Sequence, residues 1–103
     1  MPLQIFKRPQ AERDIEECFV YIAEDNLDIA VSFLGAIEGS LEKLAEFPLL
    51  GKTREFQNEQ LQGVRMWHVK GYENYLIFYA ATNSAIEVIR IVHGSRDIEE
   101  LFA

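Results

Sequence analysis

Residues 64–93, VRMWHVKGYENYLIFYAATNSAIEVIRIVH, contain three apolar runs separated by two short polar breaks. The breaks, Gly71–Asn74 and Thr82–Ser84, are rich in turn-forming residues. Runs rich in Val, Ile, Tyr and Phe favour strands, and links this short require neighbouring strands to run antiparallel. The sequence therefore predicts an antiparallel meander with strands at Val64–Lys70, Tyr75–Ala81 and Ala85–His93.

Two amphipathic helices are predicted before the meander. Apolar residues recur at helical spacing over Pro9–Glu24, and again from Asn26 to about Phe47, where Pro48 ends the pattern. Asn26 suits the N-cap of the second helix. Because the link between the helices is very short, we expect an antiparallel hairpin whose apolar faces pack on the sheet.

The remaining segments complete the predicted fold. Leu3–Lys7 favours a first strand, Leu49–Gly63 has no clear period and is predicted to be a loop, and Ser95 is placed to cap a final helical turn through Leu101. The prediction is one α+β domain over residues 1–103. It has an N-terminal strand, a two-helix antiparallel hairpin packed on a mainly antiparallel four-stranded sheet, and a short C-terminal helix. The sheet face opposite the hairpin is predicted to be partly open.

Composition narrows the class of protein. Of the 103 residues, 49% are hydrophobic, which is enough for one sizeable core. No membrane-spanning apolar run and no signal peptide is apparent, so we expect a cytoplasmic protein that does not enter a membrane. Ten basic and 17 acidic residues give a net charge of −7, which argues against broad binding to nucleic-acid phosphates.

Cysteine and histidine are scarce. Cys18 is the only cysteine and lies on the apolar stripe of the first helix, so it is predicted to be a core residue and cannot form an internal disulfide. The two histidines and one cysteine have no metal-ligand spacing, and no glycine-rich phosphate loop is present. We therefore expect neither a metal ion nor a cofactor.

Six short motifs are spread along essentially the whole chain: Tyr21-Ile22-Ala23 with Asn26, Ala30 with Phe33, Phe47-Pro48 with Gly51, Gly63-Val64-Arg65, the run from Gly71 to Tyr79, and the run from Ile89 to Asp97. No single motif is specific, but together and in this order they form a strong signal. They resemble the motifs of the RelE/ParE toxin superfamily. The resemblance implies a growth-inhibiting toxin of a type II toxin–antitoxin pair of the plasmid-stabilisation kind. A cognate antitoxin would neutralise it in a hetero-oligomer.

The resemblance implies one of two activities. RelE-like members cut mRNA on the ribosome, whereas ParE-like members poison DNA gyrase. RelE-like ribonucleases resemble one another in placing lysines on the first meander strand, an arginine at the start of the next, and a tyrosine or histidine near the C-terminus. This chain has Met66 and His68 on the first meander strand and Asn74-Tyr75 at the start of the next. Near the C-terminus it has Phe102. Because phenylalanine has no proton to donate to a leaving group, the pattern favours the ParE branch and gyrase over the ribosome and mRNA.

The residues predicted to contact the target are Arg65, Arg90, His93 and Arg96. Arg90 lies within an Ile/Val-rich strand, where we expect it on the open sheet face rather than in a structural ion pair. If the chain is instead a metal-independent RelE-like endoribonuclease, the candidates for catalysis are His68 and His93, since histidine transfers protons near neutral pH. A third hypothesis is a detoxified family member that acts as a binding module.

Overall fold

A computed structural model describes residues 2–103, and its order of elements confirms the predicted α+β fold. The elements are β1 (Gln4–Lys7), α1 (Pro9–Asp25), α2 (Leu27–Glu46), β2 (Lys52–Thr53), a 3₁₀ turn (Glu59–Leu61), β3 (Arg65–Val69), β4 (Tyr72–Ala81), β5 (Ala85–His93) and α3 (Ile98–Leu101). None of the helices in residues 2–103 is long and apolar enough to cross a membrane.

The strands form one mixed sheet in the order β1-β5-β4-β3-β2. The meander β3-β4-β5 is antiparallel, as the sequence predicts, and β1 lies parallel to β5. The sheet has one strand more than predicted, because Lys52 and Thr53 pair with Met66 and Arg65. A two-residue strand is too short to show an alternating pattern in the sequence, so it fell within the predicted loop.

The helical hairpin covers one face of the sheet. The side-chain oxygen of Asn26 accepts a hydrogen bond from the backbone N–H of Ile29 at 3.1 Å, which confirms Asn26 as the N-cap of α2. Phe33 and Ile37 of α2 are fully buried and pack with strand residues such as Ile77 in the main core. The hairpin and the sheet are therefore joined by the apolar stripes that the periodicity predicts.

The opposite face of the sheet is covered more fully than predicted. Phe78 and Ile89 form a second core there with Leu61 of the 3₁₀ turn and with Ile98 and Phe102 near the C-terminus. The expectation of a partly open face is therefore wrong for this part of the sheet, because the segment before β3 and the segment after β5 both fold over it.

The C-terminal helix α3 begins later than the sequence suggested. Its N-cap is Asp97, whose carboxylate accepts a hydrogen bond from the backbone N–H of Glu100 at 3.2 Å. Ser95, which was expected to cap this helix, instead contacts His93. The final turn therefore starts at Ile98, and residues 94–97 connect it to the end of β5.

Candidate target-binding site

A cleft of about 350 Å³ lies between α1 and the C-terminal end of β5. Its lining combines aromatic, apolar and ionisable side chains, among them Glu17, Cys18, Tyr21, Tyr75, His93 and Arg96. His93 and Arg96 are two of the four residues predicted to contact a target. The other two, Arg65 and Arg90, bind groups within the fold, so the structure does not bring all four together.

The orientation of His93 is fixed by its neighbours. The backbone N–H of Ser95 donates to Nδ1 of His93 at 3.0 Å, and the Ser95 hydroxyl lies 2.8 Å from the same nitrogen. Because Nδ1 accepts a backbone N–H, the neutral ring carries its proton on Nε2. The ring also stands edge-on to Tyr75, with centroids 5.0 Å apart. These contacts orient the His93 ring, and its Nε2–H makes no hydrogen bond within residues 2–103.

Arg96 and Glu17 bring opposite charges to the cleft. Both side chains are exposed, Arg96 just beyond β5 and Glu17 on α1. Neither takes part in the salt bridges found within residues 2–103. Both are therefore available to charged or hydrogen-bonding groups of a partner.

Cys18 is a protonated thiol in the cleft wall. Burial raises its pKa to about 11, the carboxylates of Asp14 and Glu17 add to the increase, and Arg96 opposes it. Since the thiolate is the nucleophilic form, Cys18 is not a nucleophile at neutral pH, which agrees with its predicted place in the core. Burial also raises the pKa of the Tyr75 hydroxyl. Apart from the exposed charges of Arg96 and Glu17, the side chains that line the cleft are therefore mostly uncharged.

Arg90 is held by a structural ion pair. Its Nε and Nη2 atoms donate to the two carboxylate oxygens of Asp14 at 2.7 and 3.0 Å. Asp14 is only 3% exposed, and its carboxylate also accepts from the backbone N–H of Ile91 at 3.1 Å and from Gln10 at 3.0 Å. The expectation that Arg90 projects from an open sheet face is therefore wrong.

The pairing of β5 explains why Asp14 and Arg90 meet. β1 pairs with β5 only as far as Val88, so the edge of β5 beyond that residue has no strand beside it. A β-bulge at Ile89 shifts the register there and changes the direction of the side chain that follows. Asp14 of α1 takes the place of the missing strand by accepting the Ile91 N–H, and Arg90 neutralises its charge.

Arg65 anchors the segment that follows α2. Its guanidinium donates to the carbonyl oxygens of Leu49 at 3.3 Å and Gly51 at 2.6 Å. On the neighbouring strand, the buried Tyr79 hydroxyl donates to the Pro48 carbonyl at 2.9 Å and accepts from the Gly51 N–H at 2.8 Å. Burial raises the pKa of Tyr79. Arg65 therefore binds backbone carbonyls within the fold.

The two candidate catalytic histidines lie on opposite faces of the sheet. His93 is paired with Tyr75, whereas His68 is paired with Leu76. Because successive side chains of a strand point to opposite faces, Tyr75 and Leu76 place their partners on opposite sides. Nδ1 of His68 lies 2.9 Å from the Glu73 carbonyl, and since a carbonyl only accepts, this nitrogen carries the proton. The structure therefore separates the two imidazoles.

A comparison with protein families identifies the chain. The family described as "ParE toxin of type II toxin-antitoxin system, parDE" matches residues 5–98. The chain belongs to the ParE toxin family. A comparison with curated protein sequences finds no match.

Solved structures share the fold of this toxin at low sequence identity. The chromosomal ParDE system of P. aeruginosa gives a TM-score of 0.69 at 15% identity, covering 88% of this chain and 95% of that chain. The RelBE2 complex of Mycobacterium tuberculosis gives a TM-score of 0.61 at 18% identity, covering 90% of this chain and 99% of that chain. The E. coli DinJ-YafQ complex gives a TM-score of 0.61 at 14% identity, covering 95% of this chain and 99% of that chain. These likenesses confirm the RelE/ParE fold.

Phe102 is a core residue of the toxin. It is 6% exposed, and its ring packs against Phe56 and Phe78 at centroid distances of 4.6 and 5.0 Å. Together with the buried Ile98, it fastens the C-terminal segment to the second core. The position that resembles a catalytic tyrosine in RelE-like chains therefore serves packing here.

Asp14 is a structural residue of this region that the sequence predictions do not include. It lies between Ala11 and Cys18 at helical spacing, on the same stripe as the apolar residues of α1. A carboxylate at a core position of an amphipathic helix indicates a buried partner, because an unpaired buried charge is very costly. The position of Asp14 on the apolar stripe is therefore the sequence signal for a buried ion pair. Arg90, a charged residue within an apolar strand, gives the matching signal for its partner.

Proposed function

We propose that this toxin acts as ParE-like toxins are described to act, by binding DNA gyrase, and that the cleft between α1 and the end of β5 is its contact site. The observation that carries the proposal is the cleft itself, in which exposed Arg96 and Glu17 flank a mostly uncharged lining. Protein interfaces combine an apolar pocket with charged groups at its rim, which supply orientation and specificity.

The positions of the other candidate residues support binding over RNA cleavage. Cleavage by the RNA's own 2′-hydroxyl needs a base, an acid and cations around one phosphate. His68 and His93 point to opposite sheet faces, while Arg65 and Arg90 bind groups within the fold. The net charge of −7 also opposes docking on the polyanionic ribosome.

A cognate antitoxin belongs to the same proposal. The similar chains come from ParDE, RelBE2 and DinJ-YafQ toxin–antitoxin systems. By analogy we assign this toxin an antitoxin that binds it in a hetero-oligomer and neutralises it, and a role in plasmid stabilisation where the pair is plasmid-borne. Action on gyrase requires the cytoplasm, a compartment in which the single thiol of Cys18 stays reduced.

Purified gyrase tests the proposal. The folded chain is added to gyrase, ATP and relaxed plasmid, and DNA products are scored for supercoiling and for linear molecules. We expect supercoiling to fall and linear DNA to accumulate. In a parallel reaction, ribosomes translating a defined mRNA should leave that mRNA intact. Normal supercoiling at a large molar excess of toxin would rule out gyrase, and mRNA cleavage that His68→Ala or His93→Ala abolishes would replace binding by catalysis.

A further inference from the structure

The turn that follows β5 brings two hydrogen-bond donors to one wall of the target-binding cleft. The backbone N–H of Arg96 donates to the carbonyl oxygen of His93 at 3.1 Å, which closes a β-turn over Gly94 and Ser95. The first and last residues of a β-turn have Cα atoms less than about 7 Å apart, so their side chains start close together. Both side chains line the cleft. The turn therefore presents the His93 ring and the Arg96 guanidinium to the same space.

Neither donor is used within the described part of the fold. The guanidinium of Arg96 is exposed and makes neither a salt bridge nor a side-chain hydrogen bond within residues 2–103. The Ser95 N–H occupies Nδ1 of His93, so the one proton of the neutral ring is on Nε2, which has no acceptor within the same residues. Both groups donate and do not accept. The group that binds them is therefore an acceptor, and a negatively charged acceptor also neutralises Arg96.

Glu17, on the α1 wall of the cleft, limits how much negative charge the cleft accepts. Glu17 and Arg96 are both close enough to Cys18 to shift the pKa of its thiol, upward and downward respectively. The second carboxylate of the lining, Asp14, is already neutralised by Arg90. A single negative charge can therefore bind at Arg96, whereas a denser anion also meets repulsion from Glu17.

Between its charged walls the cleft is lined by aromatic and apolar side chains. The Tyr75 ring lies against His93 at a centroid distance of 5.0 Å and against the buried Phe33 at 4.8 Å, so contacts on two sides hold it in place. The cleft volume of about 350 Å³ is near the lower end of the range for small-ligand sites, roughly 300–1,000 Å³. The cleft therefore suits one or two side chains of a partner, one of them apolar.

We propose that the cleft recognises a single carboxylate of the target that lies next to an aromatic or apolar side chain. The carboxylate accepts hydrogen bonds from Arg96 and from Nε2–H of His93, and the neighbouring side chain packs on Tyr75. A carboxylate fits the planar fork of a guanidinium, and its one charge matches one arginine. Nucleic-acid phosphates form a dense polyanion, which Glu17 and the net charge of −7 oppose. The inference rests on the proposed function in treating the cleft as the target-binding site, and it adds the chemistry of the group that the cleft binds.

Two short peptides test the chemistry of the ligand. Both have phenylalanine on each side of a central residue, which is glutamate in one and its neutral isostere glutamine in the other, and their capped ends carry no charge. Each is titrated into the isotope-labelled full chain, and NMR follows the side-chain Nε–H signal of Arg96. We expect the glutamate peptide to bind at least about fivefold more tightly, because hydrogen bonds to a charged acceptor are stronger. Equal affinities, or no saturable shift of the Arg96 signal with either peptide, would overturn the proposal.

A short single-stranded DNA distinguishes a carboxylate from a phosphate ligand. At the concentration at which the glutamate peptide saturates the Arg96 signal, we expect the DNA to leave that signal unchanged, because the acidic protein repels a polyanion. Binding of the DNA at Arg96 with an affinity equal to or higher than that of the glutamate peptide would overturn the assignment of a carboxylate.

Two charge-matched variants test the location, with the backbone amide signals of the cleft residues as the readout. Arg96→Gln should abolish the preference for the glutamate peptide, because it removes the cation that distinguishes the two central residues. Lys43→Gln removes one positive charge from an exposed position on α2 and should change the preference less than about twofold, because distant surface charges are screened by salt. A preference that persists in folded Arg96→Gln, or that Lys43→Gln reduces equally, would show attraction to overall charge and would overturn the proposal.

A pair of variants tests the donor at His93. Asparagine reaches about as far as Nδ1 and keeps an acceptor for the Ser95 N–H, whereas glutamine reaches as far as Nε2 and keeps a donor there. His93→Asn should therefore weaken the glutamate peptide about threefold, and His93→Gln less than about twofold. Circular dichroism checks that both variants are folded. Equal affinities of the two folded variants would overturn the two-donor arrangement.

The peptide titrations and the gyrase assay can fail separately. A preference for glutamate that depends on Arg96, together with normal supercoiling, would keep the carboxylate site and reject gyrase as the target. Gyrase inhibition together with equal affinities for the two peptides would keep the proposed function and overturn the carboxylate site.

Discussion

Arg90 and Arg96 lie close together in the sequence, but the structure uses them in opposite ways. Arg90, within β5, makes two hydrogen bonds to the buried Asp14. Arg96, just past the end of β5, is exposed in a cleft. The middle of β5 has α1 directly beside it, whereas the turn after β5 borders solvent. The element beside an arginine, more than the strand or turn that carries it, decides whether the arginine supports the fold or is free to bind a partner.

The largest expected effect is that of replacing Arg90, the arginine of this pair that is bound to a buried carboxylate. Arg90→Ala leaves the Asp14 carboxylate buried and unneutralised, so we expect the free energy of unfolding to fall by about 3–5 kcal/mol. Urea denaturation followed by circular dichroism measures it, with Arg96→Ala as the matched control. Equal destabilisation by both substitutions would show that the ion pair does not support the fold.

A double substitution sharpens this prediction. Asp14→Leu combined with Arg90→Met replaces the pair by apolar side chains of similar size and should recover part of the lost stability. Recovery should be incomplete, because the Ile91 N–H loses its acceptor and a buried unpaired donor costs about 1–3 kcal/mol.

Arg65 should show an intermediate effect. Arg65→Ala removes the donor to the Leu49 and Gly51 carbonyls, and we expect a loss of about 1–3 kcal/mol in the free energy of unfolding. Lys52→Ala, at an exposed position on the paired strand, is the control and should change stability by less than about 0.5 kcal/mol. If Arg65→Ala changes the free energy of unfolding by no more than the control does, Arg65 does not support the fold. It would then again be a candidate for contact with the target.

Cys18 tests how enclosed the cleft wall is. With a pKa of about 11, Cys18 should react with a disulfide reagent at neutral pH roughly 20- to 30-fold more slowly than a free thiol, because its small thiolate fraction outweighs the greater reactivity of that thiolate. Its rate should still rise at about pH 10, where a free thiol with a pKa of about 8.5 has levelled off. A plateau at the pH of a free thiol, with the fold intact by circular dichroism, would contradict the burial that raises the pKa.

Local sequence signals predicted much of the fold. The bounds of β5 were predicted correctly because Ala85–His93 is a long apolar run between turn residues. The Asn26 cap was predicted because its preference is set by hydrogen bonds within one helical turn. β4 begins at Tyr72, earlier than predicted, because Gly71 at φ +82° completes a tighter turn than the sequence suggested.

The candidate site was less predictable because it depends on contacts between distant segments. The sequence indicates His93 and Arg96 as target contacts, and both line the same cleft. Arg90 was misplaced, because its partner Asp14 is distant in the sequence and because a β-bulge, which follows from pairing with β4, changes its direction. Such contacts leave only the indirect sign of a charged residue at an apolar position, which Asp14 and Arg90 both show.

The most direct test of the account is gyrase inhibition by Arg96→Ala beside Lys43→Ala, an exposed control on α2. The free energy of unfolding of both variants should lie within about 0.5 kcal/mol of that of the unaltered toxin. We predict that Arg96→Ala needs about tenfold more protein to suppress supercoiling, while Lys43→Ala is unchanged, because only Arg96 contributes a free cation to the cleft. Full inhibition by folded Arg96→Ala would contradict the assignment of the cleft as the target-binding site.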